Sequence, residues 1–224
     1  MALRVQALSI VDAIADDIRG NLFSGELRSD TQLTEAEVAT SYGVARPTAK
    51  AAIEKLVAEG LLLRGTHKTA RVPALGLDEV RDLYFSRLCI ESEVVRRLAA
   101  GGTVPQIAAK ANNEVVLLNS GSGMEVVAEP VMRFHLGLVE ALGSPRLSRL
   151  FGTLMGEMRL CMAQMSYRRL LHAPAIAEEH ERILEEIASG NPEGAVAALA
   201  DHLQRAENRL VPALEELTAN SSEA

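Results

Sequence analysis

Arg46 and Lys50 stand one helical turn apart at the start of a helix-period stretch. Lys or Arg at that spacing, on the amino-terminal end of a helix laid in the major groove of DNA, reaches base edges and the groove wall. Arg46 has the planar fork to bind guanine or phosphate bidentately, and Lys50 can serve the same groups with less geometric precision. Arg64, Lys68 and Arg71 follow around a polar turn and suit phosphate or minor-groove contact, with Arg28 and Thr48 as further candidates. A second chemical set lies downstream. His135, His180 and His202 each fall centrally on a separate apolar-periodic segment, and three converging imidazoles can hold zinc, nickel or a related divalent ion. Spacing alone leaves their convergence open.

The elements that carry the first set are legible from period and punctuation. Ser9 to Arg19 reads as an amphipathic helix ended by Gly20, with Leu22, Phe23 and Leu27 folding back as anchors. Thr34 and Glu37 form a capping-box pattern opening a second helix to about Ser41. Gly43 makes the turn, and a third helix follows from Ala45 or Arg46 to Ala58, with Pro47 permitted in its first turn and Gly60 as its stop. Ala49, Ile53, Leu56 and Val57 mark the face turned toward the core, leaving Lys55 nearer phosphate or solvent. Leu61 to Arg64 and Thr69 to Val72 are strand candidates around a polar, basic tip. Helix, helix, turn, helix and hairpin make up a winged helix-turn-helix head.

Pro73-Ala74-Leu75-Gly76 marks a boundary, giving a DNA-binding domain over 1–75 and an all-helical domain over 76–224. Helical periodicity covers about 77–100, 104–118, 124–142, 145–170, 174–189 and 192–218, with Pro212 expected to bend or end the last helix. Short breaks between these stretches predict an antiparallel bundle. The fold class is therefore mainly α, with a small β-hairpin wing.

Composition agrees with closely packed helices: hydrophobic residues make up 48% of 224, rich in Ala, Leu and Val, with no Trp, three Tyr and four Phe. The net charge of −7 falls wholly in the second domain, because residues 1–75 hold nine basic and nine acidic side chains. A neutral head with clustered cations on an acidic body suits a protein whose DNA contact is confined to the head. Cys89 and Cys161 sit in apolar stretches without a motif and read as buried, reduced thiols. Acidic residues interrupt the amino-terminal apolar run, no apolar stretch reaches 18 residues, and a cytoplasmic location without membrane contact is expected.

The segment LTEAEVATSYGVARPTAKAAIEKLVAEGLLLRGTHKTARV resembles the head of the GntR family of bacterial transcription regulators. Leu33, Glu35, Val38, Ala39, Gly43, Val44, Arg46, Ala52, Leu56, Glu59, Gly60 and Leu61 carry the likeness, which implies that Arg46 and Lys50 take the places of the two arginines of the family's reading helix. Ala45 stands where that family has a capping Ser, and Pro47-Thr48 where Thr-Pro is usual. Downstream, the stretch from Leu83 to Glu91, Arg133-Phe134-His135, the segment Ala141 to Leu147, Glu179 to Leu184 and Ala200 to Leu203 resemble the FCD helical ligand-binding domain of the FadR-like branch. The resemblance implies a homodimeric, ligand-responsive regulator, a repressor by expectation, that binds double-stranded operator DNA and senses a small carboxylate effector.

The same resemblance implies that His135, His180 and His202 are metal ligands and that Arg87 helps neutralise the effector. Many relatives place an Asp one turn before the first histidine. Here that position is Val131, and Glu129, six residues before His135, is rotated off the face. Two versions stand open: a three-histidine metal site whose shell an organic acid completes, and a metal-free pocket in which the histidines bind the acid directly. A structural cavity without a ligand is a third. A metal-dependent enzyme lacks support from any H-E-x-x-H pair, phosphate loop or nucleophile elbow. A head that packs on a partner protein is the remaining alternative.

Overall fold

Ile14, Ile18 and Leu22 recur every fourth residue, and all three are buried, so they lie on one helical stripe. The computed structural model, which describes residues 9–65, 69–119, 121–164 and 172–221, accordingly carries the first helix, α1 (Ile10–Ser24), past Gly20 to a cap at Gly25. The expected stop at Gly20 is thereby corrected. Interior Gly costs about 1 kcal/mol relative to Ala, less than burying Leu22 returns at roughly 1.5–3 kcal/mol.

Strand β1 (Gln32–Thr34) leads into α2 (Glu35–Ser41). The capping box is present: the Glu37 N–H donates to Thr34 Oγ1 at 3.1 Å, and the Thr34 N–H donates to Glu37 Oε2 at 3.0 Å. At the turn, Gly43 has φ +62°, a left-handed conformation that side chains resist, and this lets the Val44 N–H donate back to Ala39 O at 3.0 Å. Helix α3 (Arg46–Ala58) follows, with Ala49, Ala52, Ile53 and Leu56 fully buried on its inner face. Val57 is only half-buried.

Strands β2 (Leu63–Arg64) and β3 (Thr69–Arg71) form the hairpin, and β1 adds a third antiparallel strand to give the order β1-β3-β2. Gln32 pairs with Arg71 and Thr34 with Thr69. Sequence reading missed β1, since three residues running into a helix cap offer too little alternation to register.

The chain divides into two compact units between Ala74 and Leu75. The second unit comprises α4 (Leu77–Gly101), α5 (Gln106–Val116), α6 (Met124–Glu140), α7 (Pro145–Gln164), α8 (Ala173–Ala188) and α9 (Pro192–Ser221). Helix α4 packs along α9, α9 on α8, α8 on α5, α5 on α6 and α6 on α7, closing a bundle around Phe134, Leu138, Phe151, Met158, Ile183 and Ile187. Helices α5 and α6 approach closely at Gly137, where an added Cβ would lie 2.8 Å from the Ala108 backbone nitrogen.

Pro212 does not end α9, which continues to Ser221. Cys161 is buried as expected, whereas Cys89 is exposed, because its position on α4 faces away from the core. Both are free thiols. Among the described residues, no helix is long and apolar enough to cross a membrane.

Helix α3 begins without a side-chain cap, since Ala45 has extended backbone angles and no acceptor. Ala45→Ser should therefore stabilise the first unit by roughly 1 kcal/mol. A rise in its urea midpoint checks this, and an unchanged or lower midpoint contradicts it.

Candidate functional site

On the first unit, Arg46 and Lys50 are exposed on the amino-terminal half of α3, while Thr48 between them is half-buried. Neither cation makes an ion pair among the described residues, and the same holds for exposed Arg28. The wing side differs. Arg64 is engaged by Glu54 and by Glu35 at 3.2 Å, and Arg71 Nη1 meets Asp30 at 2.8 Å. The Arg71–Asp30 pair is exposed enough to contribute only about 0–1 kcal/mol, whereas Glu35, its side chain 12% exposed, holds Arg64 from a largely covered position. Lys55, expected nearer phosphate or solvent, is half-buried and paired with Asp12 at 2.7 Å. Lys68 lies outside the described residues.

On the second unit, α6, α8 and α9 bring His135, His180 and His202 together. Their ligand atoms all lie within 4.8 Å of one another, and all three side chains are buried. Helix α4 supplies support. Glu91, fully buried, accepts from Arg87 Nε at 2.8 Å and meets His135 Nδ1 at 2.5 Å. Glu179 on α8 meets His202 Nδ1 at 2.8 Å, and accepts from Arg205 at 3.5 Å and Arg209 at 3.4 Å.

With a carboxylate on each Nδ1, the ring proton sits there and the Nε2 lone pairs are free. Those two Nε2 atoms, of His135 and His202, face each other at 3.2 Å. Lone pairs so placed repel unless a cation lies between them. Two nitrogens each 2.0–2.1 Å from a tetrahedral zinc stand about 3.3 Å apart, so the observed separation fits a shared ion. His180 stacks on Phe134 at 3.7 Å between ring centroids, and neither of its nitrogens has a hydrogen-bond partner among the described residues. An orphaned imidazole beside two carboxylate-backed ones is a donor set for a divalent metal.

The protonation states agree. Burial, followed by the nearby Arg87 charge and His202, drives His135 well below its ordinary value. Burial does the same to His180, reinforced by His202 and His135. Burial also lowers His202, against the upward pull of Glu179. All three are held neutral, as ligation requires. Burial opposes the Glu179 carboxylate, yet the His202 hydrogen bond and Arg209 bring it down to about 2. Burial raises Glu91, with Arg87 working the other way.

A small cavity of about 30 Å³ opens beside the cluster, bounded by His135, His202, Arg87 and Arg209 on its polar side. Val131 lines it and is buried. Glu129 cannot stand in for an acidic ligand there, since Arg159 and Arg133 hold it.

Two supporting carboxylates escaped sequence reading. Glu91 left one signal, its four-residue offset from Arg87. Glu179 left none, because its partner lies on another helix.

The comparisons with known proteins bear on both units. The model of bacterial regulatory proteins of the GntR family matches residues 10–72, and that of the FCD domain matches residues 82–205, more than half of the chain. The chain belongs to the GntR family. It is a DNA-binding transcription regulator with a winged helix-turn-helix head and an FCD domain. BphR of Paraburkholderia xenovorans, an uncharacterized HTH-type transcriptional regulator, is 24% identical over 216 residues, covering 88% of this chain and 83% of its own. YdhC of Bacillus subtilis, likewise an uncharacterized HTH-type regulator, is 22% identical, with 90% of this chain and 91% of its own covered. A GntR-type crystal structure from Rhodococcus sp. RHA1 superposes with a TM-score of 0.77 at 22% identity, covering 90% of this chain and 97% of that one, a likeness of fold.

In metal-free protein, the unfolded chain takes up protons on its histidines as pH falls through about 6.5, while folded His135 and His180 stay neutral. Stability is therefore unaffected above that pH and declines below it, by up to about tenfold in the folding constant per pH unit per histidine. With chelator present, the urea midpoint of the second unit should drop between pH 7.5 and 5.5, and His180→Phe should drop less. Parallel behaviour of the two proteins would contradict this.

Proposed function

We propose that this GntR-family protein is a homodimeric, effector-responsive repressor of the FadR-like branch. Its α3 reads operator DNA, and its FCD domain holds a divalent metal on His135, His180 and His202 and senses a small organic acid. The observation that carries the metal is the pair of Nε2 atoms at 3.2 Å, each ring backed by a buried carboxylate. Bound there, the metal supplies a Lewis-acidic centre that an anionic effector can complete. The chain's own residues do the rest: Glu91 and Glu179 set the tautomer and ring orientation, and Arg87 presents a positive edge to the carboxylate.

On the DNA side, Arg46 and Lys50 are exposed and unpaired where a reading helix meets base edges, which supports them as the specific contacts. Arg28, Thr48, Lys68, Arg64 and Arg71 serve phosphate, the last two after leaving their carboxylates. Two heads then address two half-sites of a pseudo-palindrome, and the effector biases the population of head spacings.

Elemental analysis of protein purified without added metal tests the site. About one divalent ion per chain is expected, falling to background in His180→Ala; equal and negligible metal in both removes it. Arg46→Ala should cost about 1–3 kcal/mol of operator affinity, read by mobility shift on the protein's own promoter region, and unchanged affinity would withdraw its role. Lys68→Ala should weaken all duplexes alike and reduce the salt slope by about one unit. A loss confined to one sequence would refute that assignment.

A further inference from the structure

Helix α7 buries Phe151, Met155, Met158 and Met162 on one side. The side opposite, over residues 146–157, carries Arg149, Leu150, Thr153, Gly156 and Glu157. Leu150 is 68% exposed, and Leu154 and Gly152, at the two edges of this face, are half-buried. Gly137 is required by the approach of α5, but a Cβ built on Gly152 meets nothing within 4 Å. Its own chain gives no reason for a residue that weakens a helix interior. Charge on the face is divided. Arg149 and Glu157 make no ion pair among the described residues. Burial, followed by the like charge of Asp82 on α4, raises Glu157, so this end of the face is an acidic pair awaiting a cation.

We infer that a second copy of the chain docks here, its α7 laid antiparallel across the first with the two-fold axis at Thr153. The inference rests on the homodimeric reading above and supplies its surface and register. Half a turn about an axis through Thr153 exchanges positions equidistant from that residue and reverses the two edges of the face. At 100° and 1.5 Å per residue, Leu150 then comes opposite the partner's Gly156, Leu154 opposite the partner's Gly152, and Arg149 opposite the partner's Glu157. Each leucine falls where the facing helix has no side chain, which lets the two helices approach closely. Each guanidinium meets a carboxylate, and symmetry makes every contact twice. A parallel pairing would set Arg149 on its own copy and leucine on leucine, so charge selects the antiparallel one. Phe85, 64% exposed and one turn on from Asp82 on α4, enlarges the apolar area at the acidic end.

Sedimentation equilibrium of the full chain reads the dimer dissociation constant. Arg149→Glu and Glu157→Arg should each raise it about tenfold or more by opposing like charges. The double variant, with the charges exchanged, should return it to within about threefold of the unsubstituted chain. Gly152→Leu should also raise it about tenfold, with helix content by circular dichroism undiminished, because the added Cβ meets open space in its own chain. A dimer indifferent to all three single substitutions overturns this inference alone and leaves the homodimer to another face. A double variant as weak as either reversal overturns the register, and the inference with it. A chain that stays monomeric at every concentration, its α7 face left to a different partner, overturns the homodimeric reading as well.

Discussion

Two imidazole nitrogens pointed at each other across 3.2 Å, inside a helical bundle, set the terms for everything around them. An apolar core has no use for that arrangement. It persists because each ring is gripped from behind by a carboxylate: Glu91 holds His135, Glu179 holds His202, and arginines in turn hold both acids. The chain of contacts runs Arg87, Glu91, His135, His202, Glu179, Arg209, drawing on α4, α6, α8 and α9. Burying one member without its neighbours would leave an uncompensated charge, so the four helices are obliged to adopt one relative placement. The register of the bundle and the electronics of the site are thus the same constraint.

The chemistry follows from the donor set. Neutral rings with Nδ1 protonated present Nε2 lone pairs inward, and His180, held flat against Phe134, adds a third ring that has no hydrogen-bond partner among the described residues. No anion stands among these donors, because Val131 occupies the turn before His135 and Glu129 is committed to Arg159 and Arg133.

The first unit works under looser rules. Its core is conventional, with Ala49, Ala52, Ile53 and Leu56 packed beneath α3, and its chemistry sits on the exposed face. Among the described residues Arg46 and Lys50 make no ion pair, whereas Arg64 and Arg71 are occupied by acids of the same unit. The acids on Arg64 and Arg71 offset the positive charge of that side, in keeping with a head whose charges balance.

Local features could be read from the sequence because their causes are local. Thr34 and Glu37 cap α2 through bonds spanning three residues, the left-handed turn needs Gly43, and the bundle helices follow apolar period with Gly and Pro between them. The three histidines stood out because each lay in the middle of an apolar-periodic helix, and the family resemblance lent them a role. Where a nonlocal contact outweighed a local preference, sequence reading failed: Leu22 carried α1 through Gly20, α9 ran on past Pro212, and β1 existed only through its pairing with β3. The same reason hid Glu179, which adjoins His180 in sequence yet serves His202 on the next helix. Residue type and spacing determined which groups were available. Only tertiary packing decided which of them meet, since burial and hydrogen bonding between helices act across separations that periodicity does not encode.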